Sequence, residues 1–250
     1  MLSVDLNCDM GESFGPWQMG NDAEVMRYIS SVNIACGFHA GDASTIVRTL
    51  ELAIENKLAI GAHPGYPDLQ GFGRRNMSLS PAEVHDIVLY QVSALQGMCK
   101  AYGTRLNHVK PHGALYNQAA IDKKLSRSIA DAVRRLDPSL VLYGLSGSYL
   151  ISEAAAAGLR TASEAFADRS YQSNGMLTPR SEPNSIIDDP EIAAARAVQI
   201  VTDGKVDSDD GSVSITADTI CVHGDGPRAR DFVIAISAAF RDHGIAVRSV

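Results

Sequence analysis

Seven short apolar runs, at residues 3–7, 31–36, 59–62, 106–109, 140–145, 160–165 and 219–222, alternate along this chain with segments of helical periodicity. Several are apolar without interruption, the pattern of parallel strands covered on both faces. Repeated βα units with right-handed crossovers leave two architectures, an open doubly wound sheet or a closed barrel. Six polar clusters follow these runs: Asn7-Cys8-Asp9-Met10-Gly11-Glu12, Gly37-Phe38-His39-Ala40-Gly41-Asp42, Gly61-Ala62-His63-Pro64, Lys110-Pro111-His112-Gly113, Glu164-Ala165-Phe166-Ala167-Asp168-Arg169 and His223-Gly224-Asp225. An open sheet gathers its ligand contacts at one switch point, from two or three strands. Contributions from nearly every strand describe the mouth of a barrel. The expected fold is therefore α/β, a TIM-like seven-stranded parallel β/α barrel. Residues 1–250 form a single domain, with 245–250 available for a short extra strand.

Helix signals fill the gaps between runs. Ser80-Pro81-Ala82-Glu83 is a capping box with proline at the first helical position, and Gly103 closes the segment. Asp42 caps a helix whose buried side carries Ile46, Leu50 and Ala53. Asp189-Pro190 opens a helix that Gly204 stops, with Ile192, Ala195, Val198 and Val201 as its expected buried stripe. The last helix starts at Pro227 or its neighbour and runs to about His243. Residues 170–189 read as a long polar loop, either a lid over the mouth or a surface excursion.

The chain is acidic, with a formal net charge of −7, and its Lys and Arg residues are scattered rather than striped. That charge excludes the electrostatic footprint of a nucleic-acid binder or of a protein held on anionic membranes. No apolar stretch approaches the ~20 residues needed to cross a bilayer. The first residues lack a charged region followed by an apolar one, so a reducing cytoplasm is expected. Cys8, Cys36, Cys99 and Cys221 are then free thiols, and Cys8, Cys36 and Cys221 read as small apolar filler in the strands.

Alternation along a strand selects the residues that face one way. His108, Lys110 and His112 share one parity, as do Asn7 and Asp9, Asn33 and His39, and Glu164 and Asp168. The His108-x-x-x-His112 spacing would suit a helical metal pair, but Pro111 and the apolar run before it make the segment a strand. Asp9, His39 and His63, with His112 and Asp225, could gather a divalent cation from separate strands, or form a metal-free hydrogen-bonded site. Lys110 could form a Schiff base, bind an anion or balance carboxylates. Arg74 and Arg75, in the glycine-hinged Gly71-Phe72-Gly73-Arg74-Arg75, suit a carboxylate or phosphate. His223-Gly224-Asp225-Gly226-Pro227 leads into a helix start that can hold an anion. Asn7 and Asn33 join Arg74, Arg75, His223 and Asp225 as expected substrate or anion contacts. The sequence has no G-x-x-x-x-G-K-[ST] and no H-E-x-x-H.

Taken together, the clusters at Asn7–Glu12, Asn33–Asp42, Gly61–Asp68, Gly71–Arg75, Val109–Asn117 and Glu164–Arg169 resemble the LamB/YcsF family, in order and from about residue 3 onward. The resemblance implies a β/α barrel related to polysaccharide deacetylases. It implies ATP-dependent opening of 5-oxo-L-proline to L-glutamate, in a complex with two further subunits, B and C. On that reading Arg74, Arg75 or Lys110 hold anionic groups. Asp9, Glu12, His39 or His63 act as general base or metal ligand, and His112 or Asp168 protonates or orients the leaving nitrogen. ATP binds here or on a partner, and a divalent metal is an open alternative. Two other functions fit the same mouth: a stand-alone metal-dependent amidohydrolase or deacetylase of a small amide, and a non-catalytic binder of a sugar or amino acid.

Overall fold

A computed structural model describes residues 2–208, 210–224, 226 and 228–250 of the chain. In chain order the elements are β1 (Ser3–Met10), α1 (Asp22–Val25), β2 (Ser31–Ala35), α2 (Ala43–Glu55), β3 (Ala59–His63), α3 (Pro81–Ala101) and β4 (His108–Val109). Then come α4 (Gly113–Ile121), α5 (Lys123–Leu136), β5 (Val141–Leu145), α6 (Tyr149–Ala156), β6 (Arg160–Phe166), α7 (Pro190–Asp203), β7 (Lys205–Ser208), β8 (Gly211–Ser214), β9 (Thr219–Val222), α8 (Ala229–Asp242) and β10 (Ala246–Val247).

The strands β1, β2, β3, β4, β5, β6 and β9 pair in parallel in that order, and β9 returns to β1 to close a seven-stranded barrel. Closure removes both sheet edges. The short strand β10 pairs with the start of β1, at Ser3 and Val4, as the extra strand expected from the sequence. Two departures break the simple βα repeat. Two helices, α4 and α5, follow β4, and an antiparallel hairpin of β7 and β8 is inserted before β9.

Local chemistry explains the boundaries. The Asp42 carboxylate accepts from the Ser44 and Thr45 backbone N–H groups and starts α2. The Ser80 capping box and Pro81 start α3. Gly204, at φ +62°, ends α7 in the left-handed conformation that glycine adopts without strain. The expected stripe on α7 needs correction. Ala193, Ala194, Ala197 and Ile200 face the barrel with Val198, whereas Ile192 and Ala195 are exposed. Ala193, Ala194 and Ala195 follow one another directly, so the run offers little contrast by which periodicity could place the buried face. Pro227, expected at the start of the last helix, lies outside the described residues, as does Asp225. No helix among the described residues is long and apolar enough to cross a membrane.

Candidate active site

The barrel interior is polar in tiers, each set by strand register. Asp9 of β1 lies beside Asn33 of β2, Asn33 beside Gly61 of β3, and Gly61 beside His108 of β4. The lowest tier centres on Asp5. Its carboxylate accepts from Ser30, Ser31, Tyr143 and Thr219 hydroxyls at 2.6–3.0 Å. His108 stacks on Tyr143, 4.1 Å between centroids. Its Nε2 lies 2.7 Å from Asn33 Oδ1. A Cβ at Gly61 would fall 2.0 Å from that nitrogen, so glycine here opens the barrel to the imidazole. Asn33 donates to Asn7 Oδ1 and Asp9 Oδ1, and Asn7 donates to Glu164 Oε1 and Thr219 Oγ1.

Lys110 crowns this network. Its Nζ lies 2.9 Å from Asp9 Oδ1, from Glu164 Oε1 and from Cys221 Sγ, and 3.2 Å from Asn7 Oδ1. An ammonium has three N–H groups, and four acceptors surround this one. Burial works against its charge, but the carboxylates of Asp9 and Glu164 hold its pKa well above the ordinary lysine value. A protonated, fully engaged ammonium neither forms a Schiff base nor offers a spare donor. Charge balance is therefore the role this geometry gives Lys110. Burial likewise opposes ionisation of Asp9, yet His63 and Lys110 hold its carboxyl well below the usual range.

Three imidazoles and Glu12 stand above this tier. His63 comes from the end of β3, His39 from the loop after β2, and His112 from the residue that precedes α4. His63 Nε2 lies 3.3 Å from Asp9 Oδ2 and 2.9 Å from His112 Nδ1. His39 stacks on His112 with centroids 3.8 Å apart. Burial pushes both His39 and His112 well below the ordinary histidine value, so both are neutral at pH 7. Glu12 Oε1 is 3.7 Å from His39 Nε2 and from His112 Nδ1. One ligand atom from each of Glu12, His39, His63 and His112 lies within 4.8 Å of the others, the arrangement of residues able to hold a metal ion.

A cavity of about 890 Å³ opens over this floor, reaching Asp9, His63, Lys110 and His112. Arg74, Arg75, Arg169 and Arg180 stand in its wall. The loop at residues 170–189 covers one side, with Gln172, Asn174 and Thr178 facing the cavity. Arg169 tethers that loop, donating to the Ser185 carbonyl at 3.0 Å and the Thr178 carbonyl at 2.6 Å. Opposite, Asp168 Oδ2 lies 2.6 Å from His223 Nδ1, and His223 also lines the cavity. Burial would raise the Asp168 carboxyl, but His223 and Arg169 bring it below its ordinary value.

The structure thus brings Asp9, Glu12, His39, His63, Lys110, His112, Asp168 and His223 to one end of the barrel. Asn7 and Asn33, expected to touch substrate, are fully buried one tier lower and absent from the cavity lining. Their contacts are with each other, with His108 and Thr219, and with Asp9, Glu164 and Lys110. Arg74 packs its guanidinium over the Phe72 ring, 4.8 Å from its centroid. Arg75 engages Asp68 through Nε, at 3.0–3.1 Å, and through NH2. The expectation that Cys221 is apolar filler is corrected by its contact with Lys110. Burial and the neighbouring carboxylates keep that thiol protonated despite the ammonium. Glu164 and Arg169 belong to the expected strand-end cluster at residues 164–169 but carried no expected role, and Cys221 and Arg180 were not expected in the site. Parity with Asp168 marks Glu164, and parity with His223 marks Cys221. The two arginines carried no periodic signal.

The LamB/YcsF family pattern matches residues 4–250. A protein of Tolumonas auensis named as the A subunit of 5-oxoprolinase is 55% identical over 251 residues, covering 100% of both chains. The protein of the same name from Bacillus subtilis is 51% identical over 251 residues, 100% of this chain and 98% of its own. The crystal structure of a lactam utilization protein from Thermus thermophilus superposes with a TM-score of 0.94 at 48% identity, with 100% of each chain covered. Full-length similarity in sequence and in barrel shape agrees with the ordered clusters at the strand ends: this chain belongs to the LamB/YcsF family.

Proposed function

We propose that this chain opens the lactam ring of 5-oxo-L-proline as the A subunit of an ATP-dependent 5-oxoprolinase, working with subunits B and C to give L-glutamate, ADP and phosphate. The names of its full-length relatives support this reading. The observation that carries it is the convergence of Asp9 and His63, with Lys110 beneath, on the floor of one arginine-walled cavity.

Ring opening asks four steps of a site. With ATP, the γ-phosphoryl group passes to the amide oxygen and ADP leaves. Water adds to the activated carbon, and the C–N bond breaks as the departing nitrogen gains a proton. A second water releases phosphate from the glutamyl phosphate so formed. Asp9 Oδ2 and His63 Nε2 orient the attacking water and accept its proton. The Lys110 ammonium holds Asp9 in place and ionised. Arg74 and Arg180 supply positive charge for the substrate carboxylate and for phosphoryl oxygens. His112 Nε2 already donates to the Phe72 carbonyl at 2.8 Å, so its proton is committed. His223, oriented by Asp168, delivers the proton to nitrogen instead. Without a P-loop in the sequence, ATP is assigned to a partner subunit or to a cradle of another kind.

Reconstitution tests the assignment. Mixed with its B and C subunits, the chain converts 5-oxoproline to glutamate only while ATP is consumed. Hydrolysis of a small amide by this chain alone, without ATP, would establish the stand-alone amidohydrolase instead.

A further inference from the structure

A second chamber of about 260 Å³ adjoins the main cavity, and Arg169, Arg180 and His223 line both. The end of the 170–189 loop and the start of α8 form its other walls, where Arg228 and Ala229 stand. The ring-opening steps leave this space unused. It has room for one tetrahedral oxyanion and a few waters, at about 30 Å³ for each water.

The walls favour an anion. Among the described residues the lining carries three guanidinium groups, of Arg169, Arg180 and Arg228, against the carboxylates of Asp168 and Asp188. Arg169 is anchored on the Ser185 and Thr178 carbonyls, and Arg228 on the Asp188 carbonyl at 2.7 Å. A guanidinium has five N–H donors, so both keep donors to spare while held in place. Burial, and then the charge of Arg180, bring Arg169 down to about 10. An anion beside the two guanidinium groups relieves that repulsion. The helix α8 begins without a side-chain cap, and its first turn adds the positive end of a 14-residue helix.

One acceptor narrows the choice of anion. Asp168 spends Oδ2 on His223 Nδ1 at 2.6 Å. Its Oδ1 is buried and has no hydrogen-bond partner, on a residue 8% exposed that lines this chamber and not the main cavity. The carboxyl is held below its ordinary value by His223 and Arg169, so it is ionised and Oδ1 only accepts. A fully deprotonated oxyanion such as sulfate would meet Oδ1 oxygen to oxygen. Hydrogen phosphate and dihydrogen phosphate each carry a P–OH that donates to it, while their other oxygens take arginine N–H groups.

We propose that this chamber binds inorganic phosphate, with Asp168 Oδ1 accepting from the P–OH and Arg169, Arg180 and Arg228 donating to the remaining oxygens. The site stands on the geometry of the chamber. Its use rests on the reaction proposed above, in which phosphate is released beside Arg180. The arginines common to both cavities then give that product a place away from the reacting end.

The test uses the full-length chain without substrate or partners, titrated calorimetrically with phosphate, arsenate and sulfate at one ionic strength. Near neutral pH arsenate keeps an O–H, as phosphate does, and sulfate has none. One equivalent of phosphate binds and arsenate follows it closely. Sulfate binds at least about tenfold more weakly, the worth of one hydrogen bond to a charged group. Arg228→Gln lowers phosphate affinity by about tenfold or more. Asp168→Asn, whose amide offers sulfate a donor, closes the gap between phosphate and sulfate. Each variant is first shown to be folded by its melting curve, and where Asp168→Asn is not, the three anions on the wild-type chain decide. The absence of phosphate binding overturns the site, as does equal affinity for phosphate and sulfate, which marks an adventitious ion only. Unchanged affinity in folded Arg228→Gln, or a phosphate–sulfate gap that survives in folded Asp168→Asn, overturns it as well. Affinity lost in Arg74→Gln but kept in Arg228→Gln places phosphate in the main cavity and also overturns the chamber. A lack of 5-oxoprolinase activity would leave these results standing and remove only the link to the product.

Discussion

The Lys110 ammonium lies 2.9 Å from the Asp9 carboxylate inside a closed barrel, with both side chains at least nine-tenths buried. Glu164 approaches the same ammonium at the same distance, so one cation balances two carboxylates contributed by different strands. Removing one member of a buried charge set leaves the others uncompensated, at a cost of about 3–5 kcal/mol. Lys110→Met is therefore expected to destabilise the chain by about that amount in urea unfolding. Adding Glu164→Gln to Lys110→Met should recover part of the loss, since one stranded charge disappears. A double variant no more stable than Lys110→Met would contradict the charge-balance role.

Gly61 makes room for His108. Gly61→Ala places a methyl group where the His108 ring lies, forcing the imidazole off Asn33 Oδ1. The expected cost is about 1–3 kcal/mol, the range for overpacking a filled interior. Thermal unfolding measures it. Unchanged stability would mean that the polar tiers are loosely held.

Arg169 is the tether of the loop that walls the cavity. Arg169→Ala strands the Ser185 and Thr178 carbonyls, at roughly 1–3 kcal/mol for each buried group left unsatisfied. Burial already brings this guanidinium down to about 10, with Arg180 adding to the effect. The cost should fall on residues 170–189, seen as faster limited proteolysis within that loop while the barrel stays intact. Cleavage at the wild-type rate would remove the tether from the account.

Asp42 links acid stability to the mouth. Its carboxylate accepts from Ser44 and Thr45 at the start of α2 and from the Gly15 backbone at 2.7 Å. The backbone N–H of Gly15, then that of Thr45, lower its pKa from 3.8 to about 2. A depressed carboxyl contributes stability above its unfolded pKa and loses it as pH falls through its folded one. That contribution is complete above about pH 4 and fades towards pH 2. Asp42→Ala should lower the melting temperature near neutrality and narrow its gap to wild type as the pH is brought down to 2. A gap independent of pH would contradict the assignment.

The barrel was legible because its strands are buried on both faces, so short apolar runs marked them directly. The mouth was legible because a parallel barrel presents all strand ends on one side. Parity gave the direction of Asn7, Asp9, Asn33 and Lys110 but not their height. Asn7 and Asn33 therefore read like contact residues, although they lie one tier below the cavity. Cys221 looked apolar because the sequence does not show that Lys110 lies across the barrel from it. The hairpin of β7 and β8 was missed because each four-residue strand carries a single apolar residue, Val206 or Val213, too few to show a period. Arg169 and Arg180 belong to an irregular loop, where spacing carries no orientation.

The central claim is that the Asp9–His63 floor carries out lactam opening. The direct measurement is glutamate release by wild-type and His63→Ala chains, each reconstituted with subunits B and C, 5-oxoproline and ATP, after both chains are shown to be folded. The account predicts turnover by wild type and none detectable by His63→Ala. Glutamate release at the wild-type rate from His63→Ala would contradict it.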